Sequence, residues 1–257
     1  LNYIQNAIER GQLAGNGYYT KKCQEFFQTR YGFKKCFLTT SCTDALEMAA
    51  ILADVHEGDE VIMPSFTFVS TANAFVLRGA KIVFADSEKD TPNIDLSKVE
   101  ELITDKTKVL VIVHYAGVAC DMDKVLEICK EYNLILVEDA AHAIDSYYKS
   151  KPLGSFGNLA TFSFHETKNI ISGEGGMLVV NDERYIKRAE IIWEKGTNRA
   201  EFIRGDVNKY EWVDIGSSFL PSELTSAFLY AQLENMDIIQ NKRKKIWNYY
   251  NEKLKSL

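Results

Sequence analysis

Seven short apolar runs punctuate residues 34–181: KCFLT, EVIMP, KIVFAD, KVLVIVHY, LILVED, LATFSF and MLVVND. Their Val, Ile, Leu and Phe residues stand side by side rather than alternating with polar ones, which is the pattern of strands buried on both faces. Helical patterns fall between them. In TDALEMAAILADV the apolar positions Ala45, Leu46, Ala49 and Leu52 share one helical face, and MDKVLEICKEYN repeats the arrangement with Val125, Ile128 and Cys129. Buried strands alternating with amphipathic helices predict an α/β chain: three αβα layers around a mostly parallel, seven-stranded sheet. After Tyr185 the pattern changes to a helix, a loop-rich stretch from Gly196 to Ser218, and a long helical region from Pro221 onward.

No period of roughly 20 to 50 residues recurs and there is no Pro-rich linker, so no internal domain boundary is expected. Composition narrows the picture further. The formal net charge of −6 argues against a surface built for nucleic acid or anionic lipid, although a local basic pocket could still hold one anion. No apolar run approaches the roughly 20 residues of a membrane span and the first residues, LNYIQNAIER, are amphipathic, so a cytoplasmic location is expected. Cys23, Cys36, Cys42, Cys120 and Cys129 are odd in number and show no C-x-x-C pair, which predicts buried thiols rather than disulfides or a zinc site. His56, His114, His142 and His165 show no metal-ligand spacing, and no metal is expected.

In open α/β sheets ligands bind beyond the carboxyl ends of the strands, so the polar residues that follow each run are the first candidates. In Ser41-Cys42-Thr43-Asp44 a strand turns into a helix, where unpaired amides and the positive helix end suit a phosphate; a simple helix cap by Ser41 or Thr43 is the plainer alternative. Asp139 ends LILVED, a run apolar enough to be buried, and a carboxylate there calls for a cation, a cap or a salt bridge. His142 follows three residues later. Lys168 lies in SFHETKN after another apolar run, next to the glycine-rich ISGEGG, whose backbone can come close to a ligand. GEGG is not G-x-G-x-x-G and precedes a strand, so a dinucleotide site is not supported. Phe68 in PSFTFVST is a core residue or the cover of a planar heterocycle.

Taken in order, SCTD, SFTFVST, VEDAAHA and FSFHETKN resemble the sugar aminotransferases of the DegT/DnrJ/EryC1/StrS family, fold-type I enzymes dependent on pyridoxal 5′-phosphate. The resemblance covers essentially the whole chain. It implies the large domain of a fold-type I transferase, with Lys168 holding the cofactor as a Schiff base and Asp139 paired with the pyridinium nitrogen. It further implies that Phe68 stacks on the ring and that His142 lies near the ring hydroxyl. The phosphate cup would draw on Cys42, Thr43, Asp44 and Ser163, with Ser218 reaching the neighbouring subunit's phosphate. Many members carry an asparagine at that last place; this chain has Gly216-Ser217-Ser218, and the serine has a shorter reach.

The implied activity is ping-pong transfer of an amino group from glutamate, through pyridoxamine phosphate, to a nucleotide-linked 4-keto-6-deoxy sugar in a homodimer with shared active sites. ALEMAAILADVHEGDEVIMPSFTFVSTANAFVLRGAKIVFAD, HYAGVACDMD and EKGTNRAEFIRGDVNKYEWVDIGSS look like the members that convert dTDP-4-keto-6-deoxyglucose to the 4-amino-4,6-dideoxygalactose product. Competing readings are a sugar dehydratase, in which histidine would replace the lysine, and an inert sugar-nucleotide-binding fragment. The expected layout is a cofactor-binding large domain with its N-terminal segment over residues 1–240. Residues 241–257 are expected to start a linker helix toward a C-terminal small domain that the sequence lacks.

Overall fold

The computed structural model describes residues 1–255. All seven apolar runs form strands of one sheet: β1 Lys35–Thr39, β2 Glu60–Pro64, β3 Lys81–Ala85, β4 Thr107–Val113, β5 Ile135–Asp139, β8 Leu159–Ser163 and β9 Gly176–Val180. A two-stranded hairpin, β6 Tyr147–Tyr148 and β7 Lys151–Pro152, lies in the connection from β5 to β8. Strand order is β1-β9-β8-β5-β4-β2-β3; β9 is antiparallel to both its neighbours and the other pairings are parallel.

The helices are α1 Asn2–Glu9, α2 Tyr18–Tyr31, α3 Cys42–Leu52, α4 Val69–Val76, α5 Val99–Leu102, α6 Met122–Glu131, α7 Ile186–Trp193, α8 Arg199–Arg204, α9 Glu223–Glu234 and α10 Met236–Leu254. Strand parity assigns them to the two faces. Phe37, Val61, Met63, Val109, Val111 and Val137 pack with α3, α4 and α7 on one side. Cys36, Leu38, Ile62, Leu110, Ile112 and Leu136 point the other way, toward α2, α6 and α9. Three layers result, as the uninterrupted apolar runs predict.

One detail departs from the sequence expectations. The loop-rich stretch 196–218 contains the short helix α8, closed by Gly205 in the left-handed conformation (φ 81°). Helix α10 begins at Met236 after a break at Asn235 and runs on through residues 240 and 241. Cys23, Cys36, Cys120 and Cys129 are buried, and burial lifts their thiols above the ordinary range, Cys120 and Cys129 to about 12. Among the described residues no helix is long and apolar enough to cross a membrane, and no group of side chains could hold a metal ion.

Candidate active site

A cavity of about 440 Å³ opens at the carboxyl end of the sheet, between the starts of α3 and α4 and the segments that follow β5 and β8. Its floor is Asp139. By parity with Val137, this side chain faces the α3 and α4 side, where Oδ2 accepts from Thr71 Oγ1 at 2.7 Å and Oδ1 from the Ala141 amide at 3.2 Å. Asp139 is buried, with an exposure of 5 %, yet among the described residues no cation lies within ion-pair distance. A buried carboxylate with two neutral donors and no positive partner is short of compensation.

Glu138, one residue earlier, points to the opposite face and is fully satisfied. It accepts from the amides of Gly154 (2.8 Å), Phe156 (2.7 Å) and Gly157 (2.6 Å) and pairs with His114 Nε2 at 2.9 Å. Burial pushes its carboxyl up, but the His114 contact and the amides outweigh that and hold it below the usual range.

The start of α3 forms the second wall. Ser41 caps the helix, its hydroxyl accepting from the Asp44 amide at 3.0 Å. The amides of Cys42 and Thr43 have no protein partner among the described residues and stand at the positive helix end beside the cavity. Thr43 Oγ1 donates to Ser70 Oγ at 2.8 Å. Gly176 of β9 passes directly behind this turn, and a Cβ there would strike the Ser41 carbonyl and the Cys42 nitrogen, so only glycine lets the strand approach.

Lys168 closes the cavity opposite α3, in a turn where its amide bonds to the His165 carbonyl at 2.9 Å. Its ammonium has no ion-pair or hydrogen-bond partner among the described residues. Its charge is felt nearby: burial and Lys168 together hold the His142 imidazole below the ordinary histidine value, against the opposing pull of Asp139. His142 Nδ1 accepts from the Ala116 amide at 3.1 Å. Phe68, the residue before α4, lines the cavity and is 72 % exposed, a large aromatic face with little protein on it.

The structure thus brings Lys168, Asp139, His142, Phe68, Cys42, Thr43 and Ser163 to one cavity. One residue expected here lies outside it. Asp44 does not line it: its amide is taken by Ser41 and its carboxylate by the Thr40 hydroxyl. Ser218, expected at the neighbouring subunit's phosphate and not in this cavity, is exposed and bridges to Glu194. Thr71 and Tyr115 line the site without having been singled out. Thr71 carried a usable signal, since it falls one helical turn after Phe68 at the start of α4, on the face turned to the sheet.

The whole sequence, residues 1–257, matches the family model described as the DegT/DnrJ/EryC1/StrS aminotransferase family. A GDP-perosamine synthase from Escherichia coli O157:H7 is 34 % identical over 256 residues, covering 99 % of this chain and 68 % of that protein. Among solved structures, PseC from Helicobacter pylori, an aminotransferase involved in the biosynthesis of pseudoaminic acid, superposes with a TM-score of 0.89 at 29 % identity over 98 % of this chain and 66 % of its own. Spr1654 from Streptococcus pneumoniae in its PLP form gives 0.88 at 27 % identity, covering 98 % and 67 %. This chain spans roughly two thirds of the length of the curated relatives it matches, from 58 % to 68 %.

The family and these structural neighbours are pyridoxal-phosphate-dependent aminotransferases. Such a cofactor asks for an amine, an anion for its ring nitrogen, a flat cover and donors for a phosphate. The residues present fit it. Among the described residues Lys168 is an unpaired amine, Asp139 a buried carboxylate lacking a cation, Phe68 a largely uncovered ring, and the amides of Cys42 and Thr43 unpaired donors at a helix start.

Proposed function

We propose that this chain, which belongs to the DegT/DnrJ/EryC1/StrS aminotransferase family, carries the cofactor site of an enzyme that moves an amino group from glutamate to a nucleotide-linked 4-keto-6-deoxy sugar. The observation that carries the reading is the pairing of Asp139 and Lys168. Among the described residues, one is a buried anion with no cation and the other a cation with no anion, and the same cavity separates them.

When bound, pyridoxal phosphate supplies a conjugated ring that accepts electrons from a substrate carbon and a carbonyl carbon that carries the amino group. Lys168 Nζ would hold the cofactor through its carbonyl carbon and, when free of it, take and return the proton at the substrate carbon. Asp139 would keep a proton on the ring nitrogen through its negative charge, with Thr71 and the Ala141 amide fixing the carboxylate. The amides of Cys42 and Thr43, with the hydroxyls of Thr43 and Ser163, would hold the phosphate at the positive end of α3. Phe68 would cover one face of the ring and exclude water from it.

The sugar follows from resemblance: dTDP-4-keto-6-deoxyglucose, aminated to the 4-amino-4,6-dideoxygalactose product. The E. coli relative's name carries GDP, which makes the nucleotide the first point to test. We place residues 1–240 in the cofactor-binding domain and 241–257 at the start of a connection to a further domain, in a homodimer whose exposed 196–218 segment reaches the partner's site. Its Trp212, Tyr210 and Phe202 are exposed aromatics of the kind enriched at interfaces. Incubation with glutamate and dTDP-, UDP- and GDP-linked keto sugars, with the product read by mass and NMR, tests the reading. A new amine at C4 of the dTDP sugar is expected; loss of water without nitrogen gain would contradict it.

A further inference from the structure

The turn after β4 has an unusual backbone. Ala116 (φ 52°, ψ 21°) and Gly117 (φ 79°) both stand in the left-handed region, and the first of them is not a glycine. His114 anchors the turn from behind. Its amide donates to the Asp139 carbonyl at 3.1 Å, its Nδ1 accepts from the Cys120 amide at 3.4 Å, and its Nε2 meets the Glu138 carboxylate at 2.9 Å. An imidazole nitrogen that accepts from an amide carries no proton, so the His114 proton sits on Nε2 and is donated to Glu138. Gly117 holds the turn in front: a Cβ there would meet Ser146 Oγ at 2.8 Å and the His142 carbonyl oxygen at 3.1 Å.

Clamped between these points, Ala116 aims its N–H at His142 Nδ1, 3.1 Å away. An amide can only donate, so this nitrogen is unprotonated and the neutral ring keeps its proton on Nε2. Nε2 has no protein partner among the described residues, and the ring lines the cavity. Tyr115 packs edge-on against His142 with centroids 5.2 Å apart, and Phe66 packs on Tyr115 at 4.9 Å, so the ring has little freedom to flip.

We propose that the Tyr115–Gly117 turn, anchored by His114 on Glu138, is a positioning device that fixes His142 as a neutral imidazole presenting the Nε2 hydrogen to the cavity. His142 then selects a hydrogen-bond acceptor oxygen and not a second cation or a proton donor. Resting on the function proposed above, that acceptor is the hydroxyl oxygen of the cofactor ring. Ala116, Gly117 and His114 act through His142 and are positioning residues.

Long-range proton–nitrogen NMR of the ¹⁵N-labelled, cofactor-free chain reads the tautomer directly, with the four histidines assigned by single substitutions. The expected spectrum has His142 with an unprotonated Nδ1 and a protonated Nε2. Ala116→Gly should leave it unchanged, because glycine keeps both the amide and the backbone conformation. Gly117→Ala should move the turn, mix the tautomers and weaken pyridoxal phosphate binding by about tenfold, the scale of one lost hydrogen bond. His142→Gln should retain cofactor affinity within about threefold, since its carboxamide accepts from Ala116 and donates into the cavity, whereas His142→Leu should lose about tenfold or more. A proton on Nδ1 in the unmodified chain, or an unchanged tautomer in a folded Gly117→Ala variant, overturns the proposal. Failure of borohydride to trap the cofactor on Lys168 would count against the proposed function alone, because the tautomer is read without cofactor.

Discussion

Glu138 and Asp139 end the same strand, yet the two sides of the sheet receive them differently. Behind the sheet, three amides and an imidazole surround Glu138, and the connection from β5 to β8 folds around it. In front, Asp139 has one hydroxyl and one amide, then an open cavity with Lys168 beyond. A buried carboxylate that the fold saturates is part of the fold; one left short of positive charge is poised for something the chain does not itself provide.

Substitutions on the two sides should therefore separate activity from stability. Lys168→Ala should reduce turnover by about 10⁴-fold or more, because it removes both the covalent anchor and the proton carrier, with little change in the urea midpoint. Steady-state kinetics beside a denaturation curve would show this. On the other side, Glu138→Ala should cost about 3 to 5 kcal/mol of stability, since it orphans several buried donors at once. Urea unfolding reads it, and a midpoint within error of the parent would erase the contrast between the two carboxylates.

Asp139→Ala should lower turnover by about a hundredfold, on the scale of deleting one preorganised electrostatic group, without loss of stability. Circular dichroism and kinetics on one preparation test both halves. The smallest expected effect is one of pH. Because the folded His142 pKa lies below its unfolded value, folding favours the neutral ring. That contribution is complete above the unfolded value of about 6.5 and is lost as pH falls through it toward the lower folded value. His142→Gln should flatten this part of the urea midpoint's pH profile.

The strands were legible because parallel strands covered on both sides need apolar residues at consecutive positions, and KVLVIVHY or LILVED can hardly be anything else. Parity then distinguishes the two carboxylates, but only once helices are assigned to faces, which the run of letters does not do. Lys168 and Asp139 stood out as polar residues ending apolar runs. Thr71 signalled only its place one turn after Phe68; that it meets a carboxylate 68 residues away in the chain is not written there. Asp44 shows the limit from the other side: a strand-to-helix turn exposes several amides, and only the folded chain shows that Ser41 takes the third of them. The left-handed Ala116 left no trace at all, since alanine gives no hint of positive φ.

Reduction of the cofactor-loaded protein with borohydride, followed by peptide mapping, addresses the pairing of Lys168 with Asp139 most directly. The account predicts a pyridoxyl adduct on Lys168, within the peptide that holds SFHETKN, and its absence from every other lysine. An adduct on another lysine, or none on a protein that retains its fold, would contradict it.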